Sequence, residues 1–175
     1  MRKIQKFNVI VPALMVAILV VISSCNKDKI DPQSNHDKHC NCITPDNTET
    51  PDNYVSFIRG HNYYVRNDVE SKAVQTLTLE TQEQFDSIFG PATLMGEDGA
   101  PTAINFNTQF VIAIVDTLST KEICLQPMYI AYEGDDLVLH YHKTIGEEMT
   151  WTMRNMIITI VDKQFTGDVK SVVHL

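Results

Sequence analysis

The 175-residue chain lacks the short motifs that mark common catalytic and nucleotide sites. It has no G-x-S-x-G, H-E-x-x-H, G-x-x-x-x-G-K-[ST] or G-x-G-x-x-G. Glu133, Asp135, Asp136, Glu147 and Glu148 fall in expected turns, where acids serve solubility. A domain this small also leaves little room for the deep cleft between paired acids that a glycosidase needs. The expectation is a protein that is not an enzyme and takes no cofactor. Basic residues are scarce as well: 14 Lys and Arg stand against 22 Asp and Glu, a formal charge of −8. No Lys/Arg cluster is available to track a phosphate backbone, so nucleic acid is excluded as a partner. Long apolar runs are missing too. The longest, residues 9–22, is interrupted by Pro12 and falls short of the roughly 20 residues that span a bilayer as a helix.

That short run nevertheless carries information. Arg2, Lys3 and Lys6 precede it with no acid, and Ser23 and Ser24 follow it, the layout of a secretory signal over residues 1–24. Ile22-Ser23-Ser24-Cys25 resembles a bacterial lipobox, in which the Cys25 thiol takes the diacylglycerol and becomes the first mature residue. A further acyl chain on the new amino terminus, palmitate for instance, gives lasting attachment, since one chain alone holds only marginally. Asn26 rather than Asp follows the cysteine, which by resemblance to enterobacterial sorting rules points away from inner-membrane retention. The expected location is the outer membrane of a bacterial envelope, on its periplasmic or surface face. Loss of the leader leaves 11 basic against 22 acidic residues. Such a chain is repelled by anionic lipid, so the lipid on Cys25 must do the anchoring.

Residues 25–53 carry Pro32, Pro45 and Pro51, many Asp, Asn, Thr and Ser, and only Ile30 and Ile43 as large aliphatics. This composition cannot offset the entropy of ordering and reads as a disordered, lipid-anchored tether with a reach on the order of 30 Å. Within it, His36, His39, Cys40 and Cys42 bring four soft donors together, chemistry that suits zinc or copper. Their spacing departs from the two separated ligand pairs of a structural zinc site, and no metal is favoured. The cysteines stay open between plain tether residues and a disulfide from Cys40 or Cys42 to Cys124 or to a partner, which an oxidising envelope promotes.

From residue 54 to 175 the pattern turns apolar with period two, enough chain for a single β-rich domain. Residues 54–58 and 63–66 flank Arg59-Gly60-His61-Asn62, a hairpin or bend. Residues 73–79 alternate. Thr81 followed by Gln84 is a capping-box pattern that opens one short helix, with Phe85, Ile88 and Phe89 on its apolar face and Gly90-Pro91 as its stop. Residues 110–115 read as a central strand covered on both faces. Residues 123–132 and 137–141 read as a hairpin through Glu133-Gly134-Asp135-Asp136, with further strands at 156–161 and 169–173. The expected fold is mainly β (α+β): antiparallel sheet closed as a sandwich or small barrel with one short helix.

Two stretches read as long loops, residues 91–101 (PATLMGEDGAP) with Leu94 and Met95, and residues 143–152 (KTIGEEMTWT) with Ile145, Met149, Thr150 and the single Trp151. Apolar side chains raised on loops from a rigid sheet are how small β domains grip partners. The alternative is that they fold back over the core. His140 and His142 stand two apart on an expected strand and so share a face. This H-x-H pair needs a third donor, from His174 or His61, to make a metal site. Solvent-facing histidines are the simpler expectation.

One resemblance gathers these features. Asn62-Tyr63-Tyr64-Val65-Arg66-Asn67, then FDSIFGPA at 85–92, then Ala103-Ile104-Asn105-Phe106 before the apolar run at Phe110, resemble Bacteroidetes lipoproteins of the group around the PrcB C-terminal-like domain and the potempin proteinase inhibitors. Asn105 replaces the Asp of that group's Asp-Phe pair, and DTLSTK at 116–121 stands where the group has a Gly-Gly turn. The resemblance implies an envelope lipoprotein that inhibits an endopeptidase by inserting a loop or extended segment into its cleft. It transfers no reactive residue. Leu94, Met95, Met149, Thr150 and Trp151 are the candidates for contact, and a non-catalytic partner- or ligand-binding module of an envelope complex is the competing reading.

Overall fold

Two apolar runs, residues 110–115 and 156–161, lie side by side at the centre of the described structure, and the other described elements are arranged around them. The structure, a computed structural model, describes residues 51–70, 72–93 and 99–175. The expected signal, its lipidation site Cys25 and most of the expected tether, with His36, His39, Cys40 and Cys42, lie outside the described residues. So do Leu94 and Met95. In chain order the elements are β1 (Tyr54–Val55), β2 (Phe57–Arg59), β3 (Tyr63–Val65), β4 (Gln75–Leu79), α1 (Gln82–Ile88), β5 (Phe89–Pro91), β6 (Gln109–Glu133), β7 (Asp136–Asp162) and β8 (Val169–His174). Strand accounts for 62% of the described residues, with one helix, so the fold is mainly β.

Strands β6 and β7 are the two arms of one long hairpin. Its turn is built on Gly134, whose φ of 67° is the left-handed conformation that glycine adopts without cost. The ladder runs from Glu133 opposite Asp136 to Gln109 opposite Asp162, broken by four irregularities in register. Such bulges bend a strand and increase its twist. The ribbon therefore folds back on itself. Phe110, Ile112 and Ile114 from one half of β6 pack in the same core cluster as Ile123, Leu125 and Ile130 from the other half, with Leu137, Leu139, Tyr141, Ile157 and Val161 of β7.

Each half of the ribbon gains further strands. The half nearest residue 109 adds β4 beside β6 and β2 beside β7, both antiparallel. The half nearest the turn adds β1 beside β6, and β8 parallel to β7. The outer face of the first half, with Val111, Ala113, Val115, Ile158, Ile160 and Leu79 of the neighbouring β4, is covered by Val65, Phe85 and Phe89 from β3, α1 and β5. This double coverage is why residues 110–115 read as an uninterrupted apolar run. The sheet is open rather than closed as a barrel. Where β4 and β8 approach, they meet through a hydrogen bond of 2.7 Å between the Thr76 and Ser171 hydroxyls and not through a ladder.

Thr81 caps the helix as its sequence predicts, while the return bond from Gln84 reaches the residue before the cap. Thr81 Oγ1 accepts from the Gln84 amide at 3.2 Å, while Gln84 Oε1 accepts from the Glu80 amide at 2.8 Å. It stops earlier than Gly90, because Phe89 turns extended and starts β5, which pairs with β3. Residues 54–66 form a bend rather than a hairpin: β1, β2 and β3 pair with β6, β7 and β5. Asn62 holds a left-handed φ of 61° there, and a Cβ on Gly60 would sit 2.4 Å from Ile158 Cγ2. The larger correction concerns residues 143–152, which are not a free loop: they lie within β7, with residues 143–145 and 148 paired to β6 and residues 149–152 bulging from the ladder.

Candidate partner-contact site at the ribbon elbow

The elbow begins where residue 115 leaves the buried centre. Asp116 and Thr117 stand opposite Asn155 alone, a two-for-one bulge. Asp116 is only 1% exposed, and its carboxylate is bonded on both oxygens. Oδ1 accepts from the Thr117 amide at 2.8 Å, and Oδ2 accepts from Lys143 Nζ at 2.6 Å. Lys143 belongs to the other half of the ribbon, so this ion pair ties the two halves together at the fold. Burial pushes the Tyr141 phenol above its ordinary value, and the Asp116 charge adds to that. On the other side of the elbow, the Arg154 guanidinium donates to the Val69 carbonyl, linking β7 to the segment before β4.

Beyond this anchor the register slips further. Glu148 pairs with Lys121 and Met153 with Ser119, so Thr120 alone faces the four residues 149–152. Four residues cannot lie in a regular ladder against one, and the excess chain must leave the plane of the ribbon. This segment contains Met149, Thr150 and Trp151, the candidates raised from the sequence. Met149 is half-buried and Thr150 is exposed. Trp151 is 62% exposed and does not fold back over the core. Leu118 at 60% and Ile145 at 54% bring further apolar surface to the same bend. Ile145 belongs to the 143–152 stretch already singled out in the sequence, whereas Leu118 is not marked by sequence pattern, because its exposure follows from the bulge at residues 116 and 117. Glu147 and Glu148 are exposed beside them, with Lys121 as the neighbouring cation.

The histidines lie elsewhere. His140 and His142 share the outer face of the turn-proximal half, as their spacing requires. His174 of β8 is the residue that meets His140: His140 Nδ1 and His174 Nε2 are 3.1 Å apart. His142 Nδ1 instead lies 3.3 Å from the Thr144 hydroxyl. Cys124, in β6, is disulfide-bonded, and the chain's other cysteines, Cys25, Cys40 and Cys42, lie outside the described residues. Among the described residues no set of three His, Cys, Asp or Glu side chains is arranged to hold a metal ion, and no helix is long and apolar enough to cross a membrane. A cavity of about 280 Å³ lined by Thr78, Glu80, Phe110, Lys163, Phe165 and Val169 brings one carboxylate near one ammonium. That ammonium already donates to the carbonyls of Phe106 at 2.7 Å and Glu80 at 3.3 Å. No family model, no curated protein and no solved structure matches this chain.

Proposed function

We propose that this chain is a lipid-anchored protein of the bacterial envelope, held through Cys25, that inhibits an endopeptidase by inserting the bulged segment of its elbow into the enzyme's cleft. The observation that carries this reading is the four-against-one bulge at residues 149–152, which lifts Met149, Thr150 and an exposed Trp151 out of the ladder. A segment destined for a protease cleft must be extended, accessible and held by a rigid support, so that little ordering entropy is lost on binding. The Asp116–Lys143 pair and the ribbon itself supply that support. The resemblance of residues 62–67 and 85–92 to the potempin group bears in the same direction. A cleft that accepts this elbow needs apolar subsites for Met149 and Trp151 and positive charge near Glu147 and Glu148.

A second reading has its own support. Leu118 and Ile145 expose apolar surface on both arms of the ribbon, which is broader than one inserted segment requires and suits a flat protein partner. Titration of the mature chain, with Cys25→Ser and the other cysteines retained, against serine, cysteine and metallo-endopeptidases separates the two. Stoichiometric loss of activity in one class, abolished by Met149→Gly with Thr150→Gly while the melting temperature holds, supports the inhibitor. Undiminished proteolysis across the panel, with this chain itself intact, refutes it and leaves the partner-binding module.

A further inference from the structure

His140 sits apart from the elbow and is only 7% exposed, an uncommon place for an imidazole. Three groups surround it. Its Nε2 lies 2.9 Å from Glu133 Oε1, its Nδ1 lies 3.1 Å from His174 Nε2, and its ring stacks on Tyr129 with centroids 4.4 Å apart and planes 21° apart. A carboxylate can only accept, so a neutral His140 donates from Nε2 and keeps the Nδ1 lone pair, which faces His174. This is the arrangement of a metal-ligating histidine, in which a carboxylate on the remote nitrogen fixes the tautomer and raises the basicity of the donor. The spacing fits as well. Two imidazole nitrogens about 2.0–2.1 Å from one tetrahedral ion are about 3.3–3.4 Å apart, a few tenths of an ångström more than the separation seen. His142 lies beside His174 in the strand register, and Gln126 lies opposite His142. The Gln126 Oε1 atom is buried and finds no hydrogen-bond partner among the described residues.

We propose that His140 and His174 form a two-histidine site for a divalent first-row transition ion on the outer face of this half-sheet, with Glu133 orienting His140 and water completing the coordination. On binding, the proton that His174 Nε2 shares with His140 moves to His174 Nδ1, and both freed lone pairs turn to the ion. The site joins β7 to the edge strand β8, so an ion there staples the last strand of the fold. It is independent of the elbow and of the inhibitor reading.

The test uses the mature chain with Cys25→Ser, His36→Ala and His39→Ala, so that the tether imidazoles do not compete. Titration with Zn²⁺ and Ni²⁺ by calorimetry is expected to give one equivalent bound. At metal concentrations about 100-fold above Kd, the melting temperature should rise by about 10 °C. His174→Gln, at the end of an edge strand, should leave the metal-free melting temperature within about 2 °C and abolish both signals. Glu133→Gln should weaken binding about 10-fold or more. Equal binding by the parent and His174→Gln, or no stoichiometric binding by the parent, overturns the proposal.

Discussion

Replacing Lys143 with Met would leave the Asp116 carboxylate without its charge partner at a position that is 1% exposed. The Lys143 side chain is itself 16% exposed, so the pair is poorly screened by solvent. Oδ1 would keep the Thr117 amide, while Oδ2 would lose its 2.6 Å contact. Breaking one side of a buried ion pair costs about 3–5 kcal/mol, and the residual exposure of Lys143 argues for the lower figure. For about 120 ordered residues, the extent of the described structure, the unfolding entropy makes 1 kcal/mol correspond to about 4 °C, so Lys143→Met should lower the melting temperature by about 12 °C. Asp116→Leu combined with Lys143→Met removes both charges and should recover most of that loss, since apolar replacement of a buried pair is often neutral. Thermal unfolding of the four members of this cycle, followed by far-ultraviolet circular dichroism, gives the coupling directly. A shift below about 2 °C for Lys143→Met, or a double variant no more stable than the single one, would refute the idea that this pair holds the ribbon in its fold.

Two further outcomes follow from the packing. Phe85 is 1% exposed and meets Tyr63, Phe89 and Phe106 with ring centroids 5.0, 5.0 and 5.8 Å away, so Phe85→Ala should cost about 3–5 kcal/mol in urea unfolding. Tyr63 is raised by burial and then by Asp86, and Tyr141 by burial and then by Asp116. The unfolded chain therefore loses these protons first, and the stability they contribute is complete below pH 10 and falls as pH rises through the folded values. Urea midpoints measured from pH 8 to 11.5 should show that decline, and Tyr63→Phe with Tyr141→Phe should flatten it.

Local chemistry was legible wherever a few neighbouring residues decide the outcome. Thr81 with Gln84 specified the helix start, Gly134 the hairpin turn, and the uninterrupted apolar residues 110–115 a strand covered on both faces. The shared face of His140 and His142 followed from the two-residue period of a strand. The limits appeared where pairing is remote. Phe89 has the apolar spacing of a helix face, yet pairing with β3 drew it into β5. DTLSTK and KTIGEEMTWT carry the polar and glycine composition of loops, and each alone would be one. Leu118 and Ser119 pair with Arg154 and Met153, Lys121 with Glu148, and residues 143–145 with 123–125, so both segments continue as strand through the bend, because cross-strand bonds outweigh weak local preference.

By itself, then, the sequence determined the mainly β character of the described residues, the position of the one helix among them, and the absence of the common catalytic motifs. Those properties depend on side-chain type and on contacts a few residues apart. Tertiary structure alone decided that β6 and β7 fold back as one ribbon, that Trp151 stays exposed on a four-against-one bulge, and that His174 rather than His61 meets His140. Each of these rests on register between distant segments, and a slip of one residue in register moves every side chain to the other face.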